Sequence, residues 1–199
     1  MSYIKSALEI ALEKTAGEKL TPQEIAEIKQ QKKIDSLLAK YYKDQINAEQ
    51  LWHQFKELPG QYLIKAQNSF LRSLAFQSSP YDVEKRETGI MALESLKESN
   101  QSSDIEHYFK QLVKSQDDFK KEKEELTESL AKELEDNPER RLQTFQQGSQ
   151  IIIKELTVQE VMEQDEELKE RLNQMEKKYM QRFNLLKEKV ADLIKQNNL

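Results

Sequence analysis

Apolar residues in this chain recur almost everywhere at steps of three and four, the spacing that lines up one face of an α-helix. Ile4, Ala7, Leu8, Ala11 and Leu12 share such a face behind Ser2, and Ala16-Gly17 ends it. Thr21-Pro22-Gln23-Glu24 is a helix start, with Thr at the N-cap, Pro at the first helical position and Glu placed to close a capping box. Ile25, Ile28, Leu37, Leu38 and Tyr41 carry that helix onward. Asn47 and Gln50 restart or bend it, and Leu51, Trp52 and Phe55 lead to a turn at Pro59-Gly60.

From Gln61 to Val83 the only charges are Lys65, Arg72 and Asp82, while Leu63, Ala66, Phe70, Leu71 and Leu74 keep helical spacing. A helix so poor in charge is expected to be buried on most sides. Eight of the fifteen aromatic residues fall between Tyr41 and Tyr81, which places the densest core there. Ser79-Pro80-Tyr81-Asp82 opens a further helix through Val83, Ile90, Met91, Leu93 and Leu96. Gly89 within it costs about 1 kcal/mol against Ala, so it points to a close helix contact. Asn100-Gln101-Ser102-Ser103 is a polar linker.

Beyond the linker the helices lengthen. Ser103 and Glu106 have capping-box spacing, and Ile105, Phe109, Leu112, Gln116, Phe119, Lys123, Leu126 and Leu130 step 4,3,4,3,4,3,4. That is a heptad seam with two polar intruders, Gln116 and Lys123. Asn137-Pro138 and Gly148-Ser149 are breaks. Ile151-Ile152-Ile153 is the one β-branched run that suits a strand, but with no ladder partner in view helix is favoured there. Thr157 and Glu160 form another capping box. Leu168, Leu172, Met175, Tyr179, Phe183, Leu186, Val190 and Leu193 step 4,3,4,4,3,4,3, a stuttered seam. Read as one helix from Val158 to Gln196, this segment is roughly 58 Å long. A bundle only ~20–25 residues tall cannot cover it, so it projects or pairs.

Composition sharpens this picture. Charged residues make up 34 % and hydrophobic residues 37 % of the chain, with a net charge of −5, so the wet helix faces carry finely mixed signs rather than one sign. Four Gly and four Pro are too few for a turn-rich β fold. The absence of cysteine excludes disulfides, thiolate catalysis and Cys-based metal sites. The start, MSYIKSALEIALEK, lacks the basic and apolar blocks of a signal peptide, and no window approaches a membrane span, so a cytoplasmic protein is expected.

Candidate chemistry is sparse. His53 follows Glu49 by four residues and His107 follows Asp104 by three, but neither pair matches a di-metal helix motif. No G-x-S-x-G elbow, Walker A loop or dinucleotide fingerprint occurs. Arg72, alone on the charge-poor helix, suits an ion pair with Glu84 or Glu87, or else a clamp for an anionic ligand. Lys29, Lys32, Lys33, Lys40 and Lys43 form the best basic cluster. Interspersed acids and the acidic whole argue against nucleic acid binding there. The first helix has a mixed rather than basic polar face, which favours packing over lipid.

These readings predict an all-α protein, with a helical bundle over residues 1–99 and long coiled-coil-like helices over 104–199 forming a helical hairpin. One short strand near 150–155 is the only exception allowed for. No catalytic, cofactor-binding or metal-binding residue is assigned. The expected function is a non-enzymatic scaffold, adaptor or chaperone-like interaction protein acting through apolar helix faces. Leu168, Leu172, Met175, Tyr179, Phe183 and Leu186 form the expected interaction face, for a protein partner or a second copy of the chain. The alternatives are a bundle that binds a metal or small anion, and a nucleic-acid-associated accessory protein.

Overall fold

The computed structural model describes residues 21–147 and 150–196; the segment expected to form a helix at Ile4–Leu12 lies outside them. Capping chemistry opens the helices where short polar side chains meet the first free backbone N–H groups. Helix α1 (Pro22–Tyr42) starts with the full box: Thr21 N donates to Glu24 Oε2 at 2.7 Å, and Thr21 Oγ1 accepts from Glu24 N at 3.3 Å. Asn47 and Gln50 form the same reciprocal pair ahead of α2 (Ala48–Phe55). Helix α3 (Gly60–Arg72) follows the Pro59 turn, and Ser79 caps α4 (Pro80–Glu94) by accepting from Asp82 N at 3.1 Å.

Two long helices follow, α5 (Ser102–Asp136) and α7 (Glu166–Lys195). They run antiparallel: Lys97, just before α5, donates to Ile194 O near the end of α7, and Tyr179 donates to Glu122 midway along. At the far end the chain passes through a 3₁₀ turn (Pro138–Arg141), β1 (Leu142–Gln147), β2 (Gln150–Glu155) and the short α6 (Val158–Gln164). Among the described residues the fold is thus mainly helical with one two-stranded antiparallel sheet. Among the described residues no helix is long and apolar enough to cross a membrane.

The core has two parts. The larger extends from Ile34 in α1 through α2–α4 and the proximal halves of α5 and α7 to Ile194, crossing the 99/104 boundary drawn on sequence. Phe70 is fully buried at its centre, with Tyr41 and Tyr42 edge-on at 5.3 and 5.4 Å between ring centroids. The smaller part, at the far end, joins Leu126, Leu130 and Leu134 of α5 to Leu156, Val161 and Met162.

Four local expectations are corrected. Ile151–Ile153 is strand rather than helix, because the missing ladder partner is Leu142–Gln147, joined to it by only Gly148-Ser149. The helix expected from Val158 to Gln196 breaks at Asp165. This residue is extended (φ −76°, ψ 113°), and its carboxylate accepts from Glu167 N and Leu168 N at 3.0 and 3.1 Å. A short carboxylate that captures backbone N–H groups starts a new helix rather than continuing the old one. The Ser103–Glu106 box does not form, since α5 begins at Ser102. Its entry is held instead by buried Glu94, whose Oε1 accepts from Gln101 N at 3.1 Å. In the α5 seam Lys123 is exposed, and neighbouring half-exposed Glu122 accepts from the Tyr179 hydroxyl at 2.7 Å. Gln116, the other intruder, donates to Phe76 O and Ser78 O at 2.5 and 3.0 Å and so ties the α3–α4 loop to the long helices.

Candidate interaction site at the hairpin tip

The α7 stripe expected to form an interaction face lies along the seam with α5. Met175, Tyr179, Phe183 and Leu186 are buried within the chain, and Leu168 and Leu172 are half-buried. Large exposed apolar side chains concentrate elsewhere, at the far end. The β1–β2 register pairs Leu142 with Glu155, Thr144 with Ile153, Phe145 with Ile152 and Gln146 with Ile151. Side chains alternate across a strand, so Leu142, Ile151 and Ile153 share one face while Phe145 and Ile152 share the other. These five residues are 53, 73, 64, 43 and 41 % exposed in that order, so among the described residues neither face is fully covered. All six residues of β2 are exposed.

Charge is distributed as sharply as hydrophobicity. A third of the chain is charged, yet Leu142 to Ile153 contains no charged residue. The hairpin root, in contrast, is a ring of ion pairs. Arg141 donates to Leu156 O at 2.9 Å and pairs with Glu155 at 3.1 Å. Arg140 bridges Glu133 and Asp165, and Lys154 meets Glu160 at 2.5 Å. Lys154, with the backbone N–H and hydroxyl of Thr157, holds the Glu160 carboxyl down at about 2. The root is therefore clamped to α5, α6 and the start of α7, while the tip extends free of them.

The remaining sequence candidates are dispersed. His53 is exposed, edge-on to Trp52 at 5.0 Å, and exposed His107 contacts Gln111 at 2.6 Å. Among the described residues no three His, Cys, Asp or Glu side chains are placed to hold a metal ion. Arg72 is exposed at the end of α3 and does not meet Glu84 or Glu87. It borders an open groove with Asn68, Asn184, Lys187, Glu188 and Lys195. Lys187 in that groove donates to Leu74 O, and burial pushes its pKa down. The held arginine is Arg86, which meets Asp82 at 2.7 Å, Ser73 at 3.0 Å and the Tyr42 ring at 5.0 Å. The α1 lysines Lys29, Lys32, Lys33 and Lys40, with Lys43 at its C-cap, lie on exposed positions.

Sequence reasoning missed β1, and the signal for it was present. Two six-residue segments, together nearly free of charge, flank a two-residue Gly-Ser connection, which is hairpin spacing. The alternation in β1 is obscured because three of its six residues are Gln.

A family model described as "Family of unknown function (DUF6657)" matches residues 63–192, from α3 through the hairpin and almost to the end of α7. The chain belongs to that family. No curated protein and no solved structure matches it.

Proposed function

We propose that this family member is a non-enzymatic interaction protein, a scaffold, adaptor or chaperone-like module, that presents a hairpin with an uncharged, apolar-rich tip at the end of an antiparallel helical stalk. One observation supports this reading above the others: Leu142, Phe145, Ile151, Ile152 and Ile153 are exposed together on a segment without charge. At about 200 Å² per fully exposed residue of this size, Leu142, Ile151 and Ile153 present roughly 380 Å² on one face and Phe145 and Ile152 roughly 170 Å² on the other, the first within the range of the largest patches on soluble monomers. The helices serve as support in this reading. Helix α5 spans roughly 52 Å at 1.5 Å per residue, which holds the hairpin away from the base that contains α1–α4. The α7 stripe, packed on α5, acts as the internal seam of the stalk.

Site-specific photo-cross-linking tests the reading. A photoreactive phenylalanine analogue replacing Phe145 should form protein adducts in cells that express the chain. The same analogue at exposed Lys121, on the stalk, should form few. Equal or absent adduct formation at the two positions would remove the hairpin from consideration as a docking surface.

A further inference from the structure

Among the described residues strand β2 has an open edge whose backbone groups can be assigned. Leu156 N donates to Arg141 O at 2.7 Å, in register with the β1–β2 ladder, so Arg141 and Leu156 occupy a hydrogen-bonded position. Hydrogen-bonded and non-hydrogen-bonded pairs alternate along antiparallel strands. Gln143/Lys154 and Phe145/Ile152 are then hydrogen-bonded pairs, and the N–H and C=O groups of Ile151 and Ile153 point away from β1 to the open edge. Natural sheets guard such edges with Lys, Pro, bulges or a covering element. The tip half of this outer edge carries two isoleucines, and the charged residues Lys154 and Glu155 lie only at its root end.

We infer that β2 pairs antiparallel with β2 of a second copy of this chain, centred on Ile152, to make a continuous four-stranded sheet across the dimer. The inference rests on the interaction reading above and names its occupant. Three features favour a second copy. First, the edge is self-complementary: with Ile152 opposite its own symmetry mate, Ile151 faces Ile153 of the other copy and the reverse, as a two-fold interface requires. Those two pairs are the ones whose backbone groups point outward, so the ladder can continue without shifting register. Second, charge is compatible, because Lys154 then faces Gln150 of the other copy and no like charges are opposed. Third, strand number favours it. A two-stranded hairpin open on both faces is marginal in water, whereas four strands are self-supporting.

The chain contains no cysteine, so register can be read directly by disulfide trapping in the full-length protein. Opposed residues at the centre lie about 4.5 Å apart between Cα atoms, within disulfide reach, whereas residue 151 and its own mate lie beyond the ~7 Å limit. Ile152→Cys should therefore oxidise to a covalent dimer about tenfold faster than Ile151→Cys or Ile153→Cys alone. A mixture of Ile151→Cys with size-tagged Ile153→Cys should form the mixed dimer. Sedimentation equilibrium should show a dimer for the wild type. Ile151→Lys with Ile153→Lys should raise the midpoint concentration at least about tenfold while far-UV circular dichroism keeps its helical signal. Equal trapping at all three positions, or a dimer indifferent to the lysine pair, would overturn this assignment. A strict monomer whose position 145 still cross-links another protein also overturns it and leaves the interaction reading standing. A strict monomer with no adduct at the tip removes both.

Discussion

Gly89 shows how one missing methyl group positions the core. A Cβ built there would lie 2.8 Å from Phe70 Cζ and 3.1 Å from Tyr41 Cε1, and both rings are buried. Helix α4 can approach the edge-on aromatic rings only because position 89 carries no side chain. Gly89→Ala should gain about 1 kcal/mol of helix propensity and lose about 1–3 kcal/mol to overpacking. The expected outcome is a lowered urea midpoint, and a raised midpoint would show that the rings yield. Removing the ring that Gly89 accommodates should cost more: Phe70→Ala leaves a buried void worth about 3–5 kcal/mol. The need for a close contact at Gly89 was legible in sequence, since a glycine inside a helix has a cost that something must offset. Which rings would fill the space was not, because Tyr41, Phe70 and Gly89 belong to three different helices.

The hairpin depends on its root. Glu160 closes the capping box of α6 with Thr157 and at the same time pairs with Lys154 at the end of β2, so one carboxylate ties strand to helix. Its pKa is lowered from 4.5 to about 2, with the Lys154 contact the largest cause, followed by the Thr157 backbone and hydroxyl. A lowered folded-state pKa stabilises the fold fully above the unfolded value and loses that contribution as pH falls through the folded one. The root should therefore loosen between about pH 4.5 and pH 2. Amide protection in β2 should fall across that window in the wild type and change less in Glu160→Gln. Protection in wild-type β2 that stays level through the window would show that the tie is not formed in solution.

The two-part core implies uneven stability along the molecule. The base cluster draws on α1–α4 and both long helices, whereas the far cluster rests on six buried residues. Regions with few buried apolar contacts open at lower free energy than the whole. Hydrogen exchange should find the hairpin, α6 and the distal turns of α5 opening before the base. Leu130→Ala, at a site only 3 % exposed, should cost about 2–5 kcal/mol within that far unit. Amides around Ile90 and Phe109 should keep their protection. Parallel loss in both regions would show that stalk and base unfold as one cooperative unit.

Local chemistry was enough to read most of the helices, because caps and periodicity act within a few residues: the boxes at Thr21 and Thr157 and the long apolar seams follow from neighbours in sequence, whereas the Ser103–Glu106 box and the unbroken helix from Val158 do not form. Contacts between distant segments decided the rest. The stripe from Leu168 to Leu186 reads equally well as an interface or as an internal seam, since periodicity states which residues share a face but not what covers it. Antiparallel return of the chain laid that stripe on α5, and it could do so because a hairpin and the Asp165 break reverse direction between the two helices. The strand at Ile151–Ile153 depended on a partner whose three glutamines hid its alternation. Its exposure depended on the ion-paired root, which clamps the base of the hairpin while all six residues of β2 stay exposed. Burial and exposure are properties of pairs of segments, and a single sequence records them one segment at a time.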